Sequence, residues 1–232
     1  MNSKWIDITA GDGGTFGAYL ALPPVGRGPG IVLIQEIFGV NAHIRAVADQ
    51  YAMDGFTVLA PDVFWRMQTR LDIGYGPADR EIGIGLVQKM DFGKAVEDIA
   101  ATAAKLRTLP ACMGKVASLG FCMGGLLAYL AAADAGVDAA VCYYGGGIPN
   151  HLAVASRIRV PVLFHFAAND QHIPLEGVDR VKAEFAKHPR SAVHVYAAVD
   201  HGFNCWERAA YNQQAAALAR GRSLSFLATT IA

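Results

Sequence analysis

Gly120-Phe121-Cys122-Met123-Gly124 is the stretch of this sequence that decides the fold. A mainly apolar run at 115–119 predicts a strand before it, and the apolar residues at 125–130 predict a helix directly after it. The pattern Gly-x-nucleophile-x-Gly allows its central residue to occupy a sharp, strained turn, because the flanking glycines carry no side chains that would collide with the strand and the helix. The thiol of Cys122 is therefore expected to project above a sheet.

The helix that follows Cys122 is predicted to point its amino terminus at the thiol. Unpaired N–H groups and the positive end of the helix dipole at that point stabilise both a thiolate and an oxyanion. A free cysteine is most often a small buried apolar residue. The glycine frame and the strand–helix context favour a nucleophile instead.

The composition is typical of one α/β domain spanning residues 1–232. Hydrophobic residues make up 53% of the 232, enough for a single sizeable core. The 20 basic and 20 acidic side chains cancel, which argues against nucleic acid or an anionic membrane as a partner. We therefore expect a monomer that binds a small molecule in a pocket.

The sequence shows no targeting segment and no membrane span. Residues 1–7 lack the apolar stretch of a signal peptide, and the longest apolar region is interrupted by Asp134 and Asp138. We therefore expect a cytoplasmic protein. The four cysteines lie far apart without a Cys-x-x-Cys pair, which favours reduced thiols over disulfides or a zinc site. No cofactor and no metal are expected.

Short apolar runs alternate with helix-periodic segments, which is typical of a parallel sheet covered by helices on both faces. The predicted core strands are 31–34, 56–60, 116–119, 139–143, 160–165 and 192–196. The predicted helices lie within 44–52, 92–106 and 178–185 and in the Ala/Leu-rich stretch from Tyr211. Segments 5–9 and 16–22 predict an antiparallel hairpin at the sheet edge.

The segment 65–90 fits this alternation poorly, because it is rich in glycine, has weak periodicity and exceeds an ordinary connection in length. We expect it to drape over the carboxyl ends of the strands, where α/β folds bind ligands. Its arginines Arg66, Arg70 and Arg80 are then candidates to meet an anionic substrate. The alternative for each is a solvated surface charge.

A cysteine nucleophile needs a base, and the base needs a third group that orients it. Asp170 follows the strand predicted at 160–165 and is the expected acid. His201 follows the strand predicted at 192–196, precedes a glycine, and is the expected base. The order nucleophile, acid, histidine is the one that the α/β-hydrolase fold uses.

Rival residues exist for the acid and for the base. Asp200 is an alternative acid, although neighbours in sequence rarely face each other within a loop. His172 lies close to Asp170 and stays a rival base, whereas His165 and His194 fall within predicted strands. A zinc site on His165 and His172 is disfavoured, because no further ligands at suitable spacing accompany them.

Two backbone N–H groups are expected to form an oxyanion hole: that of Met123, after the nucleophile, and that of Ile37, in the loop after an early strand. Glu36 is unusual there, because it is a carboxylate at the end of an apolar strand near the nucleophile. Such a charge disfavours a thiolate unless a proton or a substrate intervenes, so Glu36 is expected to gate thiolate formation. The alternative is a solvated surface glutamate.

Several motifs together resemble the dienelactone hydrolase (carboxymethylenebutenolidase) family over nearly the full length of the chain. The motifs are IQEIFGVN at 34–41, APD at 60–62, GFCMGG at 120–125, YYG at 143–145 and DHGF at 200–203. Gln-Glu-Ile-Phe-Gly joined to a Gly-x-Cys-x-Gly elbow is specific to that family. The resemblance implies the α/β-hydrolase fold, with a mostly parallel central sheet flanked by helices on both faces.

The resemblance also implies an activity, which is the hydrolysis of an enol-lactone (a dienelactone) to maleylacetate in bacterial breakdown of chloroaromatic compounds. It implies a triad of Cys122, His201 and Asp170 that forms an acyl-enzyme. In the family, the glutamate that matches Glu36 holds the resting thiol and yields when substrate binds.

Two arginines hold the substrate carboxylate in that family, and Arg80 matches the first. Cys205 stands where the second is expected, and a thiol cannot form the bidentate pair that arginine makes. Arg208 and Trp206 are candidates to reshape that wall of the pocket. The predicted substrate-binding residues are Arg80, Phe38, Tyr143, Cys205 and Trp206.

The pocket itself is expected to be more apolar than is usual in the family, because Ile84 and Val87 stand where Tyr and Trp often occur. This leaves a carboxylesterase or thioesterase with a less anionic substrate as an alternative. A non-catalytic ligand-binding module is disfavoured by the intact triad. A dinucleotide oxidoreductase is disfavoured because the glycine pattern at 120–125 lacks the middle glycine.

Overall fold

An eight-stranded, mostly parallel sheet organises the computed structural model of the chain, which describes residues 2–188 and 190–232. The strands are β1 Asn2–Thr9, β2 Thr15–Leu22, β3 Gly28–Ile34, β4 Thr57–Pro61, β5 Cys112–Phe121, β6 Ala139–Tyr143, β7 Val162–Ala167 and β8 Ala192–Tyr196. The helices are α1 Ala42–Met53, α2 Pro77–Lys89, α3 Phe92–Thr108, α4 Met123–Asp134, α5 Leu175–Phe185 and α6 Gln213–Thr230. Short 3-10 turns occupy Ile148–Asn150 and Leu152–Arg157.

The strand order is β1-β2-β4-β3-β5-β6-β7-β8. All pairings from β4 to β8 are parallel, and β1 and β2 add an antiparallel hairpin beside β4. Helices α1, α3, α4 and α6 pack against strands of this sheet. Because the inner strands are covered by helices, they form the core and are mostly buried, apart from the first four residues of β5. No helix in the described part of the chain is long and apolar enough to cross a membrane.

The α/β-hydrolase architecture and the edge hairpin predicted from the sequence are confirmed, and each predicted strand is present. The bounds of β6 and β8 are those expected, and the other strands shift by a few residues. One detail differs: β8 is an edge strand, paired only with β7 among the described residues, and of its residues only Tyr196 is buried in the core, while the others are half-buried.

The segment 65–90 is not one long loop, because Pro77–Lys89 forms helix α2. Pro77 suits the first helical turn, and the Asp79 carboxylate accepts a hydrogen bond from the Gly76 N–H at 3.2 Å, which caps the helix. The hydrophobic period is weak because only Gly83 of this helix is buried. The expected position near the carboxyl ends of the strands is retained, since α2 supplies residues to the cavity described below.

Backbone contact at the turn from β5 to α4 leaves no room for side chains on the flanking glycines. A Cβ atom on Gly120 would lie 2.0 Å from the Gly124 carbonyl oxygen, and a Cβ atom on Gly124 would lie 2.4 Å from the Gln35 carbonyl oxygen. Cys122 occupies φ 56°, ψ −118°, a region that residues other than glycine rarely adopt. The close packing of the two glycines holds the cysteine in this strained turn.

Replacement of Gly124 by alanine is expected to lower the free energy of unfolding by about 3 kcal/mol or more, because the new methyl group meets rigid backbone. Gly221, in the exposed part of α6, has open space around it, so Gly221→Ala is the matched control and is expected to stabilise by up to about 1 kcal/mol. Urea unfolding of both variants measures the difference. Equal stability of the two would contradict this account of the turn.

Candidate active site

The carboxyl end of the sheet brings Cys122, His201 and Asp170 together. Cys122 follows β5, Asp170 follows β7 and His201 follows β8. His201 Nδ1 lies 2.7 Å from Asp170 Oδ2, and the two side chains are 10% and 1% exposed. The thiol of Cys122 lines the same cavity as His201. This is the geometry that a nucleophile, a base and an orienting acid require.

The rival acid and the rival bases are placed differently. Asp200 is exposed and makes no hydrogen bond to His201 within the described residues, whereas the Asp170 carboxylate also accepts the His172 backbone N–H at 2.8 Å. The His172 ring lies edge-on to His201, with 5.1 Å between ring centroids. His165 is fully buried and bonded to Tyr196 and Ser223, and the described residues contain no cluster that could hold a metal ion.

The charge of the imidazole is set by opposing effects. Burial alone would lower the pKa of His201, but the neighbouring Cys122 sulfur and the hydrogen-bonded Asp170 carboxylate outweigh burial and raise the pKa to about 10. An imidazolium between a sulfur and a carboxylate is therefore the form that this environment favours near neutral pH.

Two backbone N–H groups near the thiol have no acceptor in the described parts of the chain, those of Ile37 and Met123. Ile37 lies in the loop after β3, and Met123 is the first residue of α4, where an N–H has no partner within the helix. Both residues line the same cavity as Cys122. The two groups are thus free to donate to an oxyanion, and the oxyanion hole assigned to them stays a prediction.

Glu36 is a buried carboxylate and not a solvated surface residue, because its side chain is 1% exposed. Its Oε1 accepts a hydrogen bond from Arg208 Nη1 at 3.1 Å, and its Oε2 has no partner among the described residues. Burial raises the pKa of Glu36 above its ordinary value, and the charges of Arg208 and His201 oppose that rise. Glu36 therefore pairs with Arg208 here, and not with the thiol.

A cavity of about 310 Å³ opens at Cys122. Its polar lining consists of the thiol, two histidines and two arginines, Arg80 and Arg208. Its apolar lining is Ile37, Phe38, Ile84, Val87, Phe92, Met123 and Leu126. An apolar body that carries a negative charge matches this lining.

Three predicted substrate-binding residues do not line the cavity. Tyr143 is fully buried, and its hydroxyl lies 2.7 Å from Ser223 Oγ. Cys205 is also fully buried. Trp206 packs on His43, with 4.1 Å between ring centroids, and lies outside the lining. Only Arg80 and Phe38 of the predicted set remain at the site.

The second arginine of the cavity is Arg208, three residues after the expected position. The Cys205 N–H donates to Gly202, and the Arg208 N–H donates to Cys205 at 3.1 Å, so consecutive turns bury the thiol and bring the guanidinium to the cavity. Of the other arginines considered, Arg66 pairs with Asp12 and Asp98 and Arg70 stacks on Trp5, so neither faces the site.

Tyr144 was not among the predicted site residues, although it stands in the YYG motif. Its ring lies edge-on to His201, with 5.1 Å between ring centroids, and its backbone has φ 35°. Its buried hydroxyl has no hydrogen-bond partner in the described chain. The pair Tyr143-Tyr144 at the end of β6 is the signal in the sequence. The motif does not indicate which of the two rings faces His201.

Comparison with known proteins gives one consistent relationship. The model of the dienelactone hydrolase family matches residues 16–231. The carboxymethylenebutenolidases of Pseudomonas putida and Pseudomonas sp. strain P51 are 37% and 35% identical, and each match covers 98% of this chain and 97% and 95% of the relative. The solved structure of a candidate dienelactone hydrolase from Klebsiella pneumoniae has a TM-score of 0.84 at 26% identity and covers 98% of this chain and 99% of its own.

Asp170→Asn is expected to lower kcat on the order of 10²-fold or more, because loss of the orienting carboxylate frees the histidine tautomer and removes support for the imidazolium. Asp200→Asn is the matched control, because Asp200 adjoins His201 in the chain and is exposed, and it is expected to leave kcat near the wild-type value. Steady-state hydrolysis of a nitrophenyl ester measures both. The opposite ranking would transfer the orienting role to Asp200.

Proposed function

The chain belongs to the dienelactone hydrolase family, whose members are lactone and ester hydrolases, and from this premise we propose that it hydrolyses a carboxylate-bearing lactone through an acyl-enzyme on Cys122. The observation that carries the proposal is a cavity that Cys122, His201 and two arginines line together, with His201 bonded to the buried Asp170 carboxylate. The relatives named carboxymethylenebutenolidase support dienelactone as the first substrate to test, with maleylacetate as its product.

In the first step the thiolate of Cys122 attacks the lactone carbonyl carbon, and a C–S bond forms. The carbonyl oxygen becomes an oxyanion, which the N–H groups of Ile37 and Met123 stabilise. Collapse breaks the ring C–O bond, and the imidazolium of His201 gives its proton to the departing oxygen. For an enol-lactone this oxygen belongs to an enol, which converts to a ketone.

In the second step water attacks the thioester carbon while the neutral imidazole of His201 takes its proton. The C–S bond breaks, the acid leaves, and the thiolate with its imidazolium partner is restored. Asp170, whose Oδ2 lies 2.7 Å from Nδ1, orients the imidazole of His201 in both steps. No reactant other than substrate and water is required.

The substrate carboxylate is assigned to Arg80 and Arg208. Arg80 is exposed at the cavity and forms no salt bridge with any described residue. Arg208 is partly buried and already shares its charge with Glu36 at 3.1 Å. A bound carboxylate would compete with Glu36 for that guanidinium, which links substrate charge to the buried carboxylate of Glu36.

A carboxylesterase or thioesterase on the same residues is the second candidate. The apolar lining at Ile84, Val87 and Leu126 favours it, because an acyl chain can be buried there without a charge. Comparison of a carboxylate-bearing lactone with neutral short-chain esters and thioesters separates the two, since only the first uses both arginines.

Cys122→Ala is expected to abolish hydrolysis of every substrate in a folded protein, because no other nucleophile is proposed. Circular dichroism verifies the fold, and product formation measures turnover. Substantial turnover by a folded Cys122→Ala protein would contradict the proposed mechanism.

Arg208→Gln is expected to lower kcat/KM for a carboxylate-bearing lactone relative to a neutral ester by about tenfold or more, because a charge-assisted hydrogen bond contributes on the order of 1.5–3 kcal/mol. The ratio of kcat/KM for the lactone to kcat/KM for the neutral ester is the quantity compared. Effects common to both substrates, including loss of the partner of Glu36, cancel in this ratio. Arg157→Gln is the control, since Arg157 forms an exposed ion pair with Asp134. An unchanged ratio in Arg208→Gln would remove Arg208 from the carboxylate site.

A further inference from the structure

Helix α2 forms one wall of the cavity through a single face. Arg80, Ile84 and Val87 line the cavity, and their spacing places them on the same side of the helix. Gly83 is the one buried residue of this helix, all of which the structure describes. Leu86 and Val87 are partly buried against the core, so Gly83 is the point at which the helix backbone itself comes closest to the rest of the protein.

The contact at Gly83 is with the loop that carries the proposed oxyanion donor. A Cβ atom on Gly83 would lie 2.4 Å from the Ile37 carbonyl oxygen and 3.0 Å from Ile37 Cγ1, so a side chain cannot be placed there without a shift. Gly85, two residues further along the same helix, has no heavy atom within 4 Å of such a Cβ. The close approach is therefore a property of position 83 and not of the helix as a whole.

The segment before α2 holds the same loop from a second side. The Ile73 N–H donates to the Phe38 carbonyl at 3.3 Å, and Asn41 Nδ2 donates to the Ile73 carbonyl at 3.1 Å. Gly39 forms an antiparallel bridge with Asp72. Residues 35–39 are thus held between this segment and α2.

We propose that Gly83 is a positioning residue that sets the distance of α2 from Ile37, and through it the position of the oxyanion donor and of Arg80. The inference rests on the proposed function, because both groups act only if this cavity hydrolyses esters. An oxyanion donor works within a narrow range of about 2.7–3.1 Å. A methyl group at position 83 separates helix from loop, so it displaces Ile37, Arg80 or both.

The test compares Gly83→Ala with Gly85→Ala. For each variant, kcat and KM are measured with a neutral nitrophenyl ester and with a carboxylate-bearing lactone. The third measurement is the rate at which iodoacetamide alkylates Cys122. Alkylation needs the thiolate but uses neither an oxyanion hole nor Arg80. For Gly83→Ala we expect kcat to fall by about tenfold or more on both substrates. This loss is smaller than the roughly 10²–10³-fold fall in kcat that follows complete removal of one oxyanion donor.

The KM of Gly83→Ala is expected to rise for the lactone and not for the neutral ester, while alkylation stays within about twofold of wild type because Cys122 and His201 are untouched. Gly85→Ala is expected to match wild type throughout. A Gly83→Ala protein with wild-type kinetics would overturn the inference. Equal loss of hydrolysis and alkylation would also overturn it, since that pattern indicates general damage to the fold.

Asn41→Ser provides a second variant if Gly83→Ala does not fold. Serine keeps an acceptor for the Ile44 N–H at the start of α1 and loses the amide that donates to Ile73. We expect the same selective loss of hydrolysis, and wild-type kinetics would contradict the inference. A wild-type protein that hydrolyses neither substrate contradicts the proposed function, whereas an active wild type with unaffected variants contradicts only the role of Gly83.

Discussion

The turn between β5 and α4 brings backbone atoms so close together that Gly120 and Gly124 have no space for a side chain. The Cys122 N–H donates to the Tyr143 carbonyl at 3.0 Å, which joins the turn to the end of β6. With its own backbone at φ 56°, the cysteine has its side chain directed into the cavity and the first N–H groups of α4 beside it. The geometry of the whole site depends on this strained turn, and the surrounding packing stabilises it.

Buried charge is the second constraint on the site. Glu36 and Asp170 are both almost completely buried, and each is placed opposite a cationic partner, Arg208 and His201. Removing either partner would leave an unpaired carboxylate in a poorly solvated place, which is costly. Both cations line the same cavity as the thiol, so a substrate carboxylate that reaches Arg208 would alter the electrostatic balance around the nucleophile.

Much of the fold and of the candidate site could be predicted from the sequence. The turn at Cys122, the strands, and the order of nucleophile, acid and histidine all depend on local patterns and on chain order. The other features depend on tertiary contacts, which the hydrophobic pattern and the motifs of the sequence do not specify. Helix α2 was missed because its only buried residue is a glycine, which leaves no hydrophobic period. The second arginine is expected at position 205, but the turns after His201 decide which side chain reaches the cavity, and they bring Arg208 there. Tyr143 and Tyr144 share a motif, and only the backbone at φ 35° turns the second toward His201.

The central claim is that the strained cysteine carries the acyl group during turnover, and mass spectrometry of the quenched reaction tests it most directly. Wild-type protein is mixed with a slowly hydrolysed nitrophenyl ester, quenched in acid within one turnover, digested and mapped. The account predicts an acyl increment on the peptide that contains Cys122, formed at the rate of the nitrophenol burst and absent from Cys122→Ala. An acyl increment on another residue at that rate, or a burst that leaves Cys122 unmodified, would contradict it.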